Sequence, residues 1–230
     1  MRSMGAMPSD SARYGELNAE TVRFDPGSFD YRFIDEGGIV SVGSLEFHCL
    51  STPGHSPDHL CLVEAESGLA FVGDSVLAGT TPAVDISSYD MNPLRTYFGT
   101  LGKLDRTHCR MALPGHGDPF FDRDSFRASI KRIACKKRGK IDKAMKVVES
   151  AWGHSGRPVC GMDVALGLAH CSTIEEWAGK PEMYRYYILK EVFCCLSYLA
   201  SCGSLMQVPC ATDGVLGFCP LPISDNPLSR

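Results

Sequence analysis

Short apolar stretches separated by turn residues fill the first half of the chain. Between Thr21 and Leu77 the apolar runs are divided by Gly, Pro, Asp and Ser, which is the pattern of β-strands joined by tight turns. The sequence therefore predicts a sheet in this region, with turns at 36–38 and 66–68. The predicted strands are residues 21–24, 31–34, 39–42, 45–50, 59–65 and 69–72.

A long polar connection, Leu77–Asn92, follows the last of these strands. A loop of this length is more often functional than idle. Pro93 then opens a predicted helix, Leu94–Leu104, whose apolar residues recur on one face. The next predicted strand is Cys109–Leu113. A strand, a helix and a strand in this order indicate an α/β fold.

The second half of the chain has a helical pattern. Arg123 to about Val148 is predicted as one long amphipathic helix, and Gly203 ends the last of those that follow it. The remaining elements are expected as helices at 161–169 and 181–201, a turn at 173–176, and a hairpin of strands 205–208 and 215–218.

Helices followed by a hairpin suggest a winged-helix-like appendage. The predicted organisation is a loose N-terminus (1–20), a sheet-containing region (21–125) and a helical C-terminal region (126–230).

Composition narrows the class of protein without defining it. The chain has 230 residues, 44% of them apolar, and a formal charge of −4, which suits a globular protein with one domain and a small appendage. No apolar run approaches the roughly 20 residues of a membrane span. The odd number of cysteines, 11, and the lack of an N-terminal signal pattern favour a reducing, cytoplasmic location.

Three short segments place a metal-competent side chain beside glycine at the predicted end of a strand. They are Thr52–Pro57, which holds His55; Phe71–Ser75, which holds Asp74; and Leu113–Gly117, which holds His116. Imidazole nitrogen and carboxylate oxygen are zinc ligands, and a hydrolytic site keeps one position open for water. Asp74 is the candidate catalytic and bridging group.

The order of these segments and their separations of 19 and 42 residues resemble the later motifs of the metallo-β-lactamase superfamily. More narrowly, Gly73–Leu77, Gly79–Pro82 and Leu113–Gly117 are similar to the β-lactamase-like protein 2 group. The resemblance covers roughly residues 38 to 220.

The resemblance implies a four-layer αββα sandwich with two Zn²⁺ ions at one edge of its sheets. His55 would bind the first ion, Asp74 would bridge, and His116 would bind the second. A metal-bound hydroxide would then attack an ester, thioester or lactone substrate.

The earlier His-x-His-x-Asp-His segment of that family is missing from this sequence. The αββα sandwich is therefore expected to be partial, and four of seven implied metal ligands are absent. Either the chain is a truncated product or it is a degenerate member. Truncation is favoured because all three later ligands are intact. The chain alone is expected to bind zinc weakly and to hydrolyse little.

Two other functions remain open. The region 131–146 holds eight basic residues against one acid, which indicates either a solvated helix face or a phosphate-binding surface. The second interpretation would make the protein an RNA nuclease with the same metals. The other open function is that of a non-catalytic fragment or pseudoenzyme. The residues expected to contact nucleic acid are Lys131, Arg132, Lys136, Lys137 and Arg138.

Overall fold

The computed structural model describes residues 32–86, 92–209 and 215–221. Within them the chain divides into two compact units, and the division falls between residues 138 and 139. The predicted α/β class is confirmed. The predicted boundaries after residues 20 and 125, and the winged-helix assignment, stay predictions.

The first unit contains a five-stranded sheet in the order β1-β2-β3-β4-β5. Its first four strands form antiparallel pairs, whereas β4 and β5 run parallel. A parallel pair needs a crossover connection, and helix α1, Pro93–Arg106, lies in that connection. The strands are β1 (Ile39–Val42), β2 (Leu45–Ser51), β3 (Leu60–Glu64), β4 (Leu69–Gly73) and β5 (Met111–Pro114).

Alternation along β2 decides which of its side chains are buried. Phe47 and Cys49 are buried, whereas His48 between them is exposed, as the period of two along a strand requires. This excludes His48 from the core of the first unit.

Helix α1 begins as its sequence predicts. Pro93 lies in the first turn, where the missing N–H costs nothing, and the Asn92 side chain accepts a hydrogen bond from the Arg95 N–H at 3.3 Å. Tyr97 and Leu101 are almost completely buried. The apolar face of α1 therefore belongs to the core of the first unit.

Helix α2, Arg123–Ser155, is longer than the predicted span ending near residue 148. It ends where Gly156 adopts a left-handed backbone (φ 61°) and donates its N–H to the Trp152 carbonyl at 2.8 Å, a common helix stop. The pattern after residue 148 is polar, so sequence periodicity gives no signal for the last two turns.

The second unit pairs helices with a three-stranded sheet in the order β6-β8-β7. Helix α3 contacts α5, and α5 contacts β7. The elements of the second unit are β6 (Val159–Cys160), α3 (Gly161–Ala169), α4 (Ile174–Ala178), α5 (Glu182–Ser201), β7 (Leu205–Pro209) and β8 (Leu216–Pro220).

Two local predictions differ from the structure, and one strand has no counterpart in the predictions. The strand predicted at 31–34 is absent from residues 32–34, and among the described residues β1 is the edge strand of its sheet. The predicted turn at 173–176 is the start of α4, because the Thr173 hydroxyl accepts the Glu176 N–H at 3.2 Å and caps a helix. Strand β6 has two residues, too few to give a pattern in the sequence. The predicted strand at 21–24 lies outside the described residues.

No helix among the described residues is long and apolar enough to cross a membrane.

Candidate functional site at the strand ends

Asp74 and His116 meet because β4 and β5 are parallel. The carboxyl ends of parallel neighbours lie at the same edge of a sheet, and here Gly73 pairs with Pro114. The Gly115 N–H also donates to the Gly73 carbonyl at 2.9 Å. As a result, His116 Nδ1 lies 2.7 Å from Asp74 Oδ1.

His55 reaches the same carboxylate from the turn between β2 and β3. Thr52 and His59 close this turn, with the Thr52 N–H donating to the His59 carbonyl at 2.9 Å. Because β3 and β4 are antiparallel, the start of β3 lies beside the end of β4. His55 Nε2 is 3.4 Å from Asp74 Oδ2. Each oxygen of Asp74 therefore faces one of the two predicted histidine ligands.

A backbone carbonyl fixes the orientation of the His55 ring. Nδ1 of His55 lies 3.0 Å from the Ala83 carbonyl oxygen. Because a carbonyl only accepts, Nδ1 carries the proton, and Nε2 of a neutral ring presents its lone pair to Asp74. This is the outer hydrogen bond that metal-binding histidines commonly make.

The facing pair of His55 Nε2 and Asp74 Oδ2 fits a cation between them. A lone pair and a carboxylate oxygen are both acceptors, so only a proton or a metal ion makes their contact favourable. Two ligands of one tetrahedral zinc lie roughly 3.3 Å apart when each bond is near 2.0 Å. The observed 3.4 Å agrees with that separation.

The number of donors is smaller than a catalytic zinc site needs. If Asp74 is shared, each of two ions receives two protein ligands, whereas catalytic zinc usually has three. Within residues 32–86, 92–209 and 215–221, no group of three or more His, Cys, Asp or Glu side chains is arranged to hold one ion. The donor types fit zinc, and their number does not complete a site.

Two glycines make room for the carboxylate. Gly73 has a left-handed backbone (φ 48°), and a Cβ there would lie 2.5 Å from His59 Nε2. A Cβ on Gly115 would lie 2.7 Å from Asp74 Oδ1. Side chains at either position would displace the groups around Asp74. The glycines beside the predicted ligands thus have a steric reason.

His59, four residues after His55, supports the turn that carries His55. Its Nδ1 lies 2.8 Å from the Thr52 hydroxyl and 3.1 Å from the Ser75 hydroxyl. Burial lowers the pKa of His59, and a proton on the nearby His55 would lower it further. The imidazole of His59 is therefore neutral near pH 7 and links the His55 turn to the residue after Asp74.

Tyr97 is a supporting residue that the sequence motifs do not reveal. Its hydroxyl donates to the Ser75 carbonyl at 2.7 Å, and burial raises its pKa. Gly54 (φ 139°) lies against the same ring, since a Cβ at Gly54 would be 2.6 Å from a Tyr97 ring carbon. The only signal is the helical periodicity of α1, which marks Tyr97 as buried without revealing its partner.

Ser75 is fully buried, and its hydroxyl contacts Thr52 and His59. These contacts make it a structural residue of the turn. They agree with the absence of a Gly-x-Ser-x-Gly elbow around it.

Part of the predicted basic surface is engaged within the protein. Arg132 donates to the carbonyls of residues 77, 78 and 80 at 2.8–2.9 Å. Lys137 is buried, and the Arg138 guanidinium lies 5.5 Å from the centre of the Phe98 ring. Lys131 and Lys136 are exposed. These contacts give no support to a nucleic-acid partner.

Comparison with known proteins identifies the family. The family model of the metallo-beta-lactamase superfamily matches residues 5–129, so the chain belongs to that superfamily. A solved structure, a beta-lactamase domain protein from Burkholderia ambifaria, superposes with a TM-score of 0.74 at 20% identity and covers 94% of this chain and 58% of its own. That likeness supports the fold alone.

Two relatives found by sequence comparison are fungal proteins. An atrochrysone carboxyl ACP thioesterase of Emericella nidulans is 35% identical over 114 residues, which is 50% of this chain and 34% of the relative. The lactamase-like protein notP of an Aspergillus species is 32% identical over 147 residues, 64% of this chain and 42% of the relative. The matched region thus spans less than half of each relative.

Proposed function

We propose that the chain supplies one part of a thioester-hydrolysing metal site, with His55, Asp74 and His116 as its ligands. The observation that carries the proposal is the position of Asp74, whose two oxygens face His55 and His116 at 3.4 and 2.7 Å. The 3.4 Å contact leaves room for one cation between His55 and Asp74. At 2.7 Å, His116 Nδ1 is in direct hydrogen-bond contact with Asp74 Oδ1, so a second cation would bind through His116 Nε2. The thioester class follows from the relatives named as ACP thioesterases.

Metal ions bound here would polarise a carbonyl group and generate a nucleophile from water. The protein's own residues have simpler tasks. Asp74, one-fifth exposed, concentrates negative charge at the rim of the sheet. His55 is held by Ala83 with Nε2 toward that charge, while His116, 77% exposed, faces it from the solvent side.

Zinc is the expected metal because the donors are imidazole nitrogen and carboxylate oxygen. The chain's incomplete donor set predicts weak binding and slow turnover. We propose thioesters ahead of esters and lactones, since thioesterase is the activity that recurs in the relatives' names.

The test is hydrolysis of an acyl-N-acetylcysteamine thioester by the 230-residue chain in buffer with added zinc. Asp74→Asn keeps the shape of the side chain and removes its charge, so we expect it to abolish whatever thioester hydrolysis the chain performs. Lys131→Gln, a change on the exposed face of α2, is the matched control and should retain the rate.

Other outcomes separate the alternative functions. Cleavage of single-stranded RNA without thioester hydrolysis would favour the nuclease alternative. Loss of neither activity in Asp74→Asn would show that this carboxylate has no catalytic part. No hydrolysis of any substrate at millimolar zinc would favour a non-catalytic chain.

A further inference from the structure

A cavity of about 530 Å³ opens on the surface of the first unit, and no part of the proposed chemistry uses it. One wall is a stripe of helix α2 and the residue just before it, with side chains spaced three or four positions apart. The opposite walls come from the segments that follow His116 and Asp74. The cavity is lined by Ala78, Pro119, Phe120, Phe121, Asp122, Ser125, Ala128, Ser129 and Arg132.

Chain connectivity places this cavity close to the candidate metal ligands. Pro119 follows His116 by three residues and Ala78 follows Asp74 by four. At 3.8 Å between consecutive Cα atoms, Pro119 lies within about 11 Å of His116, and Ala78 within about 15 Å of Asp74. The nearest cavity wall therefore begins no more than about 11 Å from the Cα atom of His116.

The walls beside the candidate ligands are fixed by hydrogen bonds. Arg132 Nη2 donates to the Leu77 and Ala78 carbonyls at 2.8 and 2.9 Å, and the Ser129 hydroxyl donates to the Leu77 carbonyl at 3.1 Å. These bonds hold the segment after Asp74 against α2. The cavity is therefore formed before any ligand arrives.

The aromatic side of the cavity is fixed as well. Phe120 exchanges two backbone hydrogen bonds of 2.9 Å with Ala112 of β5, and its ring meets the Phe126 ring at 5.4 Å. Phe121 beside it is 72% exposed. The Phe120 and Phe121 rings together give this side of the cavity an apolar wall.

We infer that this cavity binds the acyl group of the thioester, and that it selects bulky, aromatic acyl groups over short ones. The inference rests on the proposed function, because it takes the reacting carbonyl to lie at Asp74. Phe120, Phe121, Pro119 and the alanine methyls supply apolar contacts. The volume lies within the roughly 300–1,000 Å³ that small-molecule sites usually have.

The test measures binding without hydrolysis, so that its result does not depend on the metal site. The probe is a naphthoyl amide of N-acetylethylenediamine, in which nitrogen replaces the thioester sulfur. The matched probe carries an acetyl group instead. Ala78 and Ala128 are reporters: their ¹³C-labelled methyl groups should shift with the naphthoyl probe, whereas Ala165 in the second unit should not.

Two variants assign the binding to this cavity. Ala128→Trp adds a ring from an exposed position of α2 and should weaken binding of the naphthoyl probe at least about tenfold by filling the space. Phe121→Ala should weaken it about three- to tenfold by removing one aromatic wall. Lys131→Trp adds the same ring at an exposed position of the same helix outside the cavity, and should bind as the unaltered chain does.

The inference is wrong if the naphthoyl probe shifts neither Ala78 nor Ala128, if Ala128→Trp binds it as tightly as Lys131→Trp does, or if the acetyl probe binds equally well. A different result would separate the inference from the proposed function. If the cavity binds the naphthoyl probe but Asp74→Asn leaves thioester hydrolysis unchanged, the binding site stands and the proposed function is wrong.

Discussion

The two histidines that face Asp74 stand on turns of very different rigidity. The His55 turn is held from several directions: the Asp85 N–H donates to the Gly54 carbonyl at 2.8 Å, and the Thr100 hydroxyl to the Pro53 carbonyl at 2.7 Å. His55 itself is only one-third exposed. This turn is built into the core.

The His116 turn is open by contrast. His116 is 77% exposed, and its side chain bonds to Asp74. Gly117 has a left-handed backbone (φ 81°), yet a Cβ there would meet nothing within 4 Å. The fold itself therefore positions the first candidate ligand, whereas the side chain of the second is held by its hydrogen bond to Asp74.

The largest difference in stability between the two turns is expected when one glycine of each is replaced by alanine. Gly54→Ala combines a disfavoured backbone with a contact of 2.6 Å to Tyr97, so we expect a loss of about 3 kcal/mol in the free energy of unfolding. Gly117→Ala strains the backbone alone and should cost about 1 kcal/mol. Urea unfolding of both variants measures the difference.

Equal losses in the two glycine variants would contradict the distinction between a buried and an open turn. Gly37→Ala is the control for backbone strain, because Gly37 also has a positive φ (80°) and an added Cβ would meet nothing within 4 Å. It should resemble Gly117→Ala.

A smaller effect is expected from the hydroxyl that supports the rigid side of the site. Tyr97→Phe leaves the ring in place and removes the donor to the Ser75 carbonyl. Ser75 is fully buried, so its carbonyl oxygen loses a partner that water does not readily replace. We expect a loss of about 1.5 kcal/mol, measured by the same unfolding experiment, and an unchanged value would mean that the hydrogen bond contributes nothing.

The smallest effect concerns the ion pair between α1, which carries Tyr97 and Thr100, and α2. Arg127 Nε donates to Asp105 at 2.7 Å, and this hydrogen bond holds the pKa of Asp105 below its ordinary value. A lowered carboxyl pKa stabilises the fold above the unfolded-state pKa, and the contribution is lost as the pH falls through the folded-state value. Both side chains are partly exposed, so Asp105→Asn should cost only about 0.5 kcal/mol at pH 7.

The difference between Asp105→Asn and the unaltered chain should disappear in strong acid, where the carboxyl group is protonated in both folded and unfolded chains. Unfolding measured at neutral pH and again at acidic pH tests this. A difference that persists unchanged into acid would show that the hydrogen bond, and not the charge, is responsible.

Periodicity and turn chemistry make some parts of the molecule predictable from the sequence. Strand β2, with Phe47 and Cys49 buried, and helix α1, opened by Pro93, follow from local patterns. The meeting of the three candidate ligands is also predictable, because glycine-flanked ligands at strand ends converge at one sheet edge. The hydrogen bonds that support them are not predictable, since Ala83 reaches His55, and Tyr97 reaches the Ser75 carbonyl, only through long-range packing.

The roles of the basic residues in 131–146, by contrast, are not predictable from the sequence. Eight positive charges within residues 131–146 look alike in a sequence, but their roles depend on which face of α2 each occupies. Arg132 bonds to three carbonyls and Lys137 is buried, while Lys131 is exposed. Composition does not separate a cation that holds a loop from one that meets solvent.

The incomplete ligand set around Asp74 is tested most directly by the zinc content of the purified 230-residue chain after exhaustive dialysis, measured by elemental analysis. Because Asp74 and two histidines supply too few donors for a complete ion shell, we expect clearly less than one zinc per chain, with weak binding that Asp74→Asn removes. One or two zinc ions retained stoichiometrically through dialysis would contradict this expectation.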